Sequence, residues 1–241
     1  MHEKLDPFGL RKLFDTYNLL AHELGDITYD AKLLGIFRRG LLPLPSDQPH
    51  HDHTNIFPPF EENPHPVLAG KRIGLVASGG SGSLVTLCGI KRAFEEAGIE
   101  IAAISVCSGS AVWGSMIAAG MSAQQMVDEC LRWRPENIID IDWPAVAKLL
   151  PTLAKGFTGL SKGEALERTL ENALGGITLE ETVMPYYSIV LNMDLNRVEY
   201  FGPHNHPEVK LSKMVRVAAA LPLFVQPVQF DGFNYSDGGV V

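Results

Sequence analysis

The sequence predicts an α/β fold, with three layers (α/β/α) around a mainly parallel central sheet and a helical extension at the N-terminus. Two apolar runs, residues 72–77 and 101–106, have the length of strands that are covered on both faces. Each run is followed by a turn rich in glycine and serine and then by a segment with helical spacing. Such alternation is typical of a parallel sheet with helices on both faces.

The first 69 residues differ from the rest. Apolar residues at helical spacing in 7–40 predict two short amphipathic helices, whereas 41–67 is rich in Pro and His and indicates a linker. We therefore expect an N-terminal extension over 1–69 and an α/β domain over 70–241. Two roles are open for the extension. It packs on the domain or mediates homo-oligomerisation, which we favour, or it docks on a lipid surface or a partner protein.

Further elements are predicted in the domain from spacing and turn residues. Ser161 and Glu164 have the spacing of a capping box at the start of one helix. The short connection between two strands, 187–193 and 197–201, predicts a hairpin, and a turn is expected at Asp231-Gly232. The helices are predicted at 85–97, from 111, and at 122–133, 144–155, 162–174 and 210–220.

Composition restricts the partners and the compartment. The net charge of −8 argues against nucleic acid, because phosphate binding needs clustered Lys and Arg. The three cysteines are odd in number and lie in apolar segments, which is typical of a reducing compartment rather than a disulfide framework. The N-terminus mixes charges into its apolar residues, unlike a signal peptide. We expect a cytoplasmic protein, with peripheral membrane contact left open.

A candidate nucleophile lies in V-C-S-G-S-A-V, residues 106–112. A strand that turns sharply into a helix, with a serine at the turn, forms a nucleophile elbow and leaves the hydroxyl at the positive end of the helix. With Ser110 as the central residue of G-x-S-x-G, the two flanking glycine positions hold Ser108 and Val112. The alternative interpretation is an ordinary Ser/Gly turn.

A second segment, A-S-G-G-S-G-S-L at 77–84, leaves backbone N–H groups free to bind an anion. The anion is either a phosphate or the oxyanion of an acyl-transfer intermediate. Residues 80–85 lack the third glycine of G-x-G-x-x-G, and the acidic residue expected after the second strand is missing. No Gly-Lys-Ser/Thr motif is present, so a nucleotide site is disfavoured.

The third segment is D-G-F-N-Y-S-D-G-G, residues 231–239. Asp237 follows an apolar stretch and precedes two glycines, so we expect it at a strand end in a tight turn. Taken alone, an Asx-type turn residue would be the usual interpretation. The order of the three segments along the chain changes that interpretation.

Together these segments resemble the patatin-like phospholipase family. G-L-V-A-S-G-G-S-G-S and G-I-K-R-A-F-E-E-A-G-I are similar to its first strand, glycine loop and first helix, and S-G-S-A follows about thirty residues later, as the family's elbow does. Residues 218–239 are similar to its D-G-G/A segment almost position by position. The resemblance covers roughly residues 70–241 and implies a patatin-like fold. The family's domain normally continues with further helices, so we expect 70–241 to be incomplete at its C-terminus.

The resemblance implies a serine esterase or lipid acyl hydrolase. Its dyad would be Ser110 and Asp237, and its oxyanion loop Gly79, Gly80, Ser81 and Gly82. The substrate would be a lipid or another acyl ester, with no metal and no cofactor. Alternatives are an acyltransferase with the same dyad, and a patatin-fold pseudoenzyme or assembly module.

The glycine loop departs from the family's pattern at two positions. The family's loop is usually G-G-G-x-R-G, but Ser83 and Leu84 hold the last two positions here.

A Ser-His-Asp triad is the competing catalytic arrangement. Its histidine would be one of eight, and none occupies the late loop expected for it. The histidine cluster at 50–53 lacks a framework of other metal ligands, so a solvated loop is favoured there.

Overall fold

The structure, a computed structural model, describes residues 57–80, 85–145 and 158–240. The helices predicted within 7–40 lie outside these ranges, as do most of the linker and most of the helix predicted at 144–155. The division of the chain at residue 69 therefore stays a prediction.

Six strands form one sheet with the order β1-β2-β3-β6-β5, and β4 pairs with the other edge of β3. Strands β1, β2 and β3 are parallel, while β4 and β6 are antiparallel to β3. Since β5 is antiparallel to β6, four of the six strands point in one direction. The predicted α/β class with a largely parallel sheet is confirmed. The strands are β1 (Arg72–Ala77), β2 (Glu100–Cys107), β3 (Tyr186–Asn192), β4 (Arg197–Phe201), β5 (Val228–Phe230) and β6 (Phe233–Asp237).

Helices connect the parallel strands. In the described ranges they are α1 (Thr86–Glu96), α2 (Ser110–Ala118), α3 (Ala123–Arg132), α4 (Pro135–Ile138), α5 (Glu164–Leu174) and α6 (Leu211–Ala218). Helix α1 joins β1 to β2, and α2 begins the connection from β2 to β3. The ends of α1, α3 and α5 lie within one or two residues of the predicted ones.

Helix α2 packs closely on the sheet. A Cβ added to Gly114 would lie 2.5 Å from Val106 and 3.1 Å from Ile104, so only a glycine lets the helix approach that near. The Tyr186 hydroxyl on β3 donates to the Ala111 carbonyl at 3.4 Å from the same face. This contact fixes the N-terminal end of α2 above the sheet, directly after the turn that leaves β2.

The capping box predicted at Ser161 is wrong. The N-cap residue of α5 is Gly163, in the left-handed region at φ 76°, and no side chain of its own caps the helix. Asp140 supplies the cap from a distant part of the chain, because its carboxylate accepts hydrogen bonds from Gly163 N at 2.7 Å and Ala165 N at 3.0 Å. Ser161 donates to that carboxylate instead.

The predicted hairpin and the predicted turn at Asp231-Gly232 are both present. Strands β3 and β4 pair over five residues, and β5 and β6 are joined by Asp231-Gly232. Both turn residues have positive φ, 45° and 79°, which two-residue hairpins of type I′ require. Strand β6 is thereby directed back along the sheet so that it ends at Asp237.

Over the described ranges, no helix combines the length and apolar character needed to cross a bilayer.

Candidate active site

Two strand ends meet on one edge of β3. The last residue of β2, Cys107, pairs with Ile189, and the last residue of β6, Asp237, pairs with the next residue, Val190. The two strands run in opposite directions and share this edge of β3, so their C-terminal ends lie next to each other. The residues that leave β2 therefore come close to Asp237.

Ser108 occupies the sharp turn between β2 and α2. Its φ is +58°, in the left-handed region, which costs a residue with a side chain about 1–3 kcal/mol and is concentrated at functional sites. Gly109 follows as the N-cap, and α2 begins at Ser110. This geometry is that of a nucleophile elbow, in which a strained strand-to-helix turn presents a serine hydroxyl at the helix N-terminus.

Ser110, the nucleophile predicted from the sequence, has other contacts. It is fully buried, and its Oγ accepts a hydrogen bond from Cys107 N at 2.9 Å. Its proton is shared between the carbonyl oxygens of Cys107, at 2.8 Å, and Ala77, at 3.1 Å. The hydroxyl thus joins the elbow to the end of β1. These contacts do not support Ser110 as the nucleophile, because its oxygen is committed to the backbone.

Asp237 is fully buried at the end of β6, in the tight turn predicted for it. Its Oδ1 accepts a hydrogen bond from Gly239 N at 2.7 Å. Its Oδ2 is buried and has no hydrogen-bond partner among the described residues. Burial raises the pKa of this carboxyl, while the neighbouring Ser108 side chain and the Gly239 N–H oppose that increase. Ser108 lies beside the carboxylate, because a Cβ added to Gly239 would be 3.2 Å from Asp237 Oδ1 and 3.8 Å from the Ser108 Cβ.

The glycine-rich loop begins beside this serine. A Cβ added to Gly79 would lie 3.2 Å from the Cβ of Ser108, so the missing side chain allows the loop backbone to approach the elbow. Gly80 follows within the described residues. Ser81 and Gly82, the other two predicted oxyanion residues, lie outside them, as do Ser83 and Leu84.

Cys107 and Gly239 lie beside Asp237. A Cβ added to Gly239 would lie 3.2 Å from Asp237 Oδ1 and 3.4 Å from Cys107 Sγ. Burial, and secondarily the nearby Asp237 charge, raises the pKa of the Cys107 thiol. A raised pKa disfavours the thiolate, which is the reactive form of a cysteine.

The histidines of the described residues have other neighbours. His206 packs edge-on against Phe201, with ring centroids 4.2 Å apart, and burial lowers its pKa. The His204 ring lies 5.7 Å from the Tyr187 ring, and His65 Nδ1 accepts backbone hydrogen bonds within its own turn. Across the described ranges, no histidine hydrogen-bonds to Asp237. The same ranges contain no group of three His, Cys, Asp or Glu residues placed to hold a metal ion.

Comparison with known proteins agrees with this geometry. A model of the family described as patatin-like phospholipase matches residues 75–241. The chain belongs to the patatin-like phospholipase family. The match extends from within β1 to beyond Asp237. The elbow, the start of the glycine loop and Asp237 of this patatin-like chain therefore all lie within the matched region.

Curated relatives of this patatin-like chain are distant and much longer. The neuropathy target esterase sws of Drosophila grimshawi is 23% identical over 184 residues, which cover 72% of this chain and 11% of that protein. Human patatin-like phospholipase domain-containing protein 6 is 22% identical over 183 residues, which cover 73% of this chain and 12% of that protein. The chain thus matches only about a tenth of the length of these relatives.

Two solved structures also resemble it. VipD from Legionella pneumophila is 15% identical, with a TM-score of 0.45 over 69% of this chain and 46% of that chain. A chain of the SpcU–ExoU complex from Pseudomonas aeruginosa is 13% identical, with a TM-score of 0.45 over 64% of this chain and 39% of that chain. At these TM-scores the likeness adds nothing to the fold assignment, which rests on the family match and the sheet.

The sequence analysis centred the elbow motif on Ser110, two residues after the serine that occupies the turn in the structure. With Ser108 at the centre, the position two residues later holds Ser110, which is small, and the position two residues earlier holds Val106, the last-but-one residue of β2. The available signal was the predicted helix start near 111, since an elbow serine lies before the helix and not inside its first turn.

Proposed function

We propose that this patatin-like chain is a lipid acyl-ester hydrolase in which Ser108 is the nucleophile and Asp237 is the base. The single observation that carries the proposal is the position of Ser108, at a strained elbow, beside a fully buried carboxylate. The membership of the family supports the reaction class. Ser108 replaces Ser110, whose hydroxyl hydrogen-bonds to the backbone.

In the first half of the reaction, Asp237 accepts the proton of Ser108 as the serine oxygen attacks the ester carbonyl carbon. The raised pKa of Asp237 makes it a stronger base than an exposed carboxylate, which suits a reaction near neutral pH. The hydrogen bond from Gly239 N holds Oδ1 and leaves Oδ2 for the proton. When the tetrahedral intermediate collapses, the C–O bond to the leaving alcohol breaks and Asp237 returns the proton to that oxygen.

Backbone N–H groups stabilise the negative oxygen of the intermediate. The Gly79 and Gly80 backbone lies next to the elbow, and the Gly109 N–H follows Ser108 at the positive end of α2. Ser81 and Gly82 stay predictions for the same role. Each such donor contributes on the order of 10²–10³ in rate.

In the second half, water attacks the acyl group on Ser108. Asp237 takes a proton from the water, the tetrahedral intermediate forms again, and its collapse releases the carboxylic acid and returns the proton to Ser108. An acyl acceptor other than water would enter at this step by the same chemistry, and only the identity of the product distinguishes the two.

The activity test compares two neighbouring serines. We expect Ser108→Ala to lower the hydrolysis of p-nitrophenyl esters and of phospholipid in mixed micelles by on the order of 10⁴-fold or more. Ser110→Ala is the matched control and should keep measurable turnover. Unchanged turnover by a folded Ser108→Ala variant would contradict the proposal.

Three expectations stay predictions: a cytoplasmic location, peripheral membrane contact and homo-oligomerisation through residues 1–69. Fractionation of cells, flotation with phospholipid vesicles and light scattering of the full chain test them in turn. Light scattering of a chain shortened to begin at residue 70 would show whether an oligomer depends on the extension.

A further inference from the structure

Two of the three cysteines lie on helices that pack against each other. Cys88 is in the first turn of α1 and is 2% exposed, and Cys130 is near the end of α3, half-buried. Both side chains line the same cavity. Both are free cysteines.

A hydrogen bond holds these helices in register. The Glu95 carboxylate, near the end of α1, accepts it from Ala123 N at the start of α3, at 3.2 Å. Each cysteine lies about two helical turns from this hydrogen bond along its own helix, and both line one cavity, so α1 and α3 are antiparallel and the cysteines lie opposite each other. The facing of Cys88 and Cys130 is thus a property of the helix pair and not of one rotamer.

An apolar cavity gives small molecules access to the pair. Its volume is about 210 Å³ and both cysteines line it, together with residues that include Phe57, Gly89 and Val127. A water molecule occupies roughly 30 Å³ of liquid, so a peroxide of similar cross-section fits. The third thiol, Cys107, lies at the end of β2 beside Asp237 and does not line this cavity.

The thiols differ in acidity in a way that suits a two-step oxidation. The neighbouring Cys130 thiol lowers the pKa of Cys88, although burial opposes it. The neighbouring Cys88 thiol, together with burial, raises the pKa of Cys130. Cys88 is therefore the thiol that reacts first as a thiolate, and Cys130 keeps its proton until the second step.

We propose that Cys88 and Cys130 are a reversible dithiol–disulfide site oxidised by hydrogen peroxide. The Cys88 thiol releases its proton, the resulting thiolate attacks one peroxide oxygen, the O–O bond breaks, and the departing hydroxide takes up the released proton and leaves as water. The Cys130 sulfur then displaces the sulfenic oxygen of Cys88, the S–S bond forms, and that oxygen leaves as a second water with the Cys130 proton. The two sulfurs are oxidised by two electrons and the peroxide is reduced.

Oxidation fixes the start of α1, which follows the glycine-rich loop, to the end of α3. A disulfide constrains the chain between the two cysteines and reduces the conformational entropy of the unfolded state. The site is distinct from the Ser108–Asp237 dyad, and its detection does not depend on esterase activity.

The test treats the reduced full-length protein with hydrogen peroxide, blocks free thiols with N-ethylmaleimide at acidic pH and maps the linked peptides by mass spectrometry. Trypsin leaves Cys107 and Cys130 on one peptide, because no Lys or Arg lies between them. Chymotrypsin, which cleaves after Trp113, separates them. We expect free thiols to fall from three to one, with a Cys88–Cys130 peptide as the product, and dithiothreitol to restore all three.

Cys88→Ser and Cys107→Ser are the matched variants. The link should be absent from the first and unchanged in the second. Three free thiols after oxidation, a link that includes Cys107, or oxidation that ends at sulfinic acid would each overturn the proposal. The mapping on the unsubstituted protein decides the question even where a variant fails to fold.

Discussion

The Ser108 and Asp237 side chains lie beside each other: a Cβ added to Gly239 would be 3.2 Å from Asp237 Oδ1 and 3.8 Å from the Ser108 Cβ. The two residues come together because β2 and β6 end at adjacent positions of β3, beside Ile189 and Val190. The sheet thereby places a serine at a strained elbow near a carboxylate that is fully excluded from solvent. This relationship supports the proposed dyad of Ser108 and Asp237.

The strain at Ser108 predicts an unusual order of stability among its variants. A left-handed φ of +58° suits glycine and disfavours any residue with a Cβ. We expect Ser108→Gly to be more stable than Ser108→Ala by about 1 kcal/mol, measured by urea denaturation. An alanine variant as stable as the glycine variant would show that the elbow relaxes in solution.

Ser110 is predicted to stabilise the elbow and not to react. Ser110→Ala removes an acceptor for Cys107 N and a donor for Ala77 O, and leaving such buried groups unpaired costs about 1–3 kcal/mol. Ser115→Ala, in the same helix, removes only a bond to Val112 O and serves as the control. The prediction fails if Ser110→Ala unfolds at the same urea concentration as the wild-type protein.

The pKa of Asp237 predicts a pH dependence of stability. Because the folded-state pKa is raised above 3.8, the folded protein binds this proton more tightly than the unfolded chain. The stability that this proton contributes is fully present below pH 3.8 and is lost as the pH rises through the pKa of Asp237 in the folded protein. We expect Asp237→Asn to raise the melting temperature at neutral pH, and the gain to disappear in acid.

Activity should rise with pH as Asp237 loses its proton, whereas the stability that this proton contributes falls. The base must be ionised, so kcat/KM should rise with pH through an apparent pKa above 3.8, and Asp237→Asn should abolish turnover at every pH. Asp128→Asn, at an exposed carboxylate, is the control for both measurements. A more active Asp237→Asn variant, or one that is less stable at neutral pH, would argue against a buried catalytic carboxylate.

The missing side chain at Gly79 is predicted to allow the glycine loop to lie close to Ser108. In Gly79→Ala the new Cβ would lie 3.2 Å from the Cβ of Ser108, which displaces the loop by a fraction of an ångström. Since misplacement on the order of 1 Å costs about 10² in rate, we expect kcat to fall by about 10-fold or more. Gly74→Ala, where the Cβ meets nothing within 4 Å, should leave kcat unchanged.

Much of the fold was predictable because it is encoded locally. Apolar runs of strand length and helical spacing located β1, β2 and α1 within one or two residues. Asp231-Gly232 located the turn between β5 and β6. The cap of α5 was not predictable, because Asp140 reaches Gly163 only after the chain has folded. Local spacing identified Ser161 as a cap, but tertiary contacts use its hydroxyl to hold Asp140.

The candidate site was half predictable. Asp237 was identified by its place before two glycines and by the resemblance of residues 218–239 to the family. The choice between Ser108 and Ser110 depends on a backbone angle and on a contact with Ala77, more than thirty residues earlier in the chain. Neither the backbone angle nor the contact can be predicted from a five-residue motif, and both serines fit a degenerate form of that motif.

The most direct test of the central claim is to map the residue that a fluorophosphonate probe modifies. The wild-type protein, Ser108→Ala and Ser110→Ala would be labelled, digested and analysed by mass spectrometry, with circular dichroism to establish that each is folded. Assignment of the dyad to Ser108 and Asp237 predicts that Ser108 carries the phosphonate, that Ser108→Ala is unlabelled and that Ser110→Ala is labelled. Phosphonate on Ser110, or labelling of folded Ser108→Ala to the wild-type extent, would contradict it.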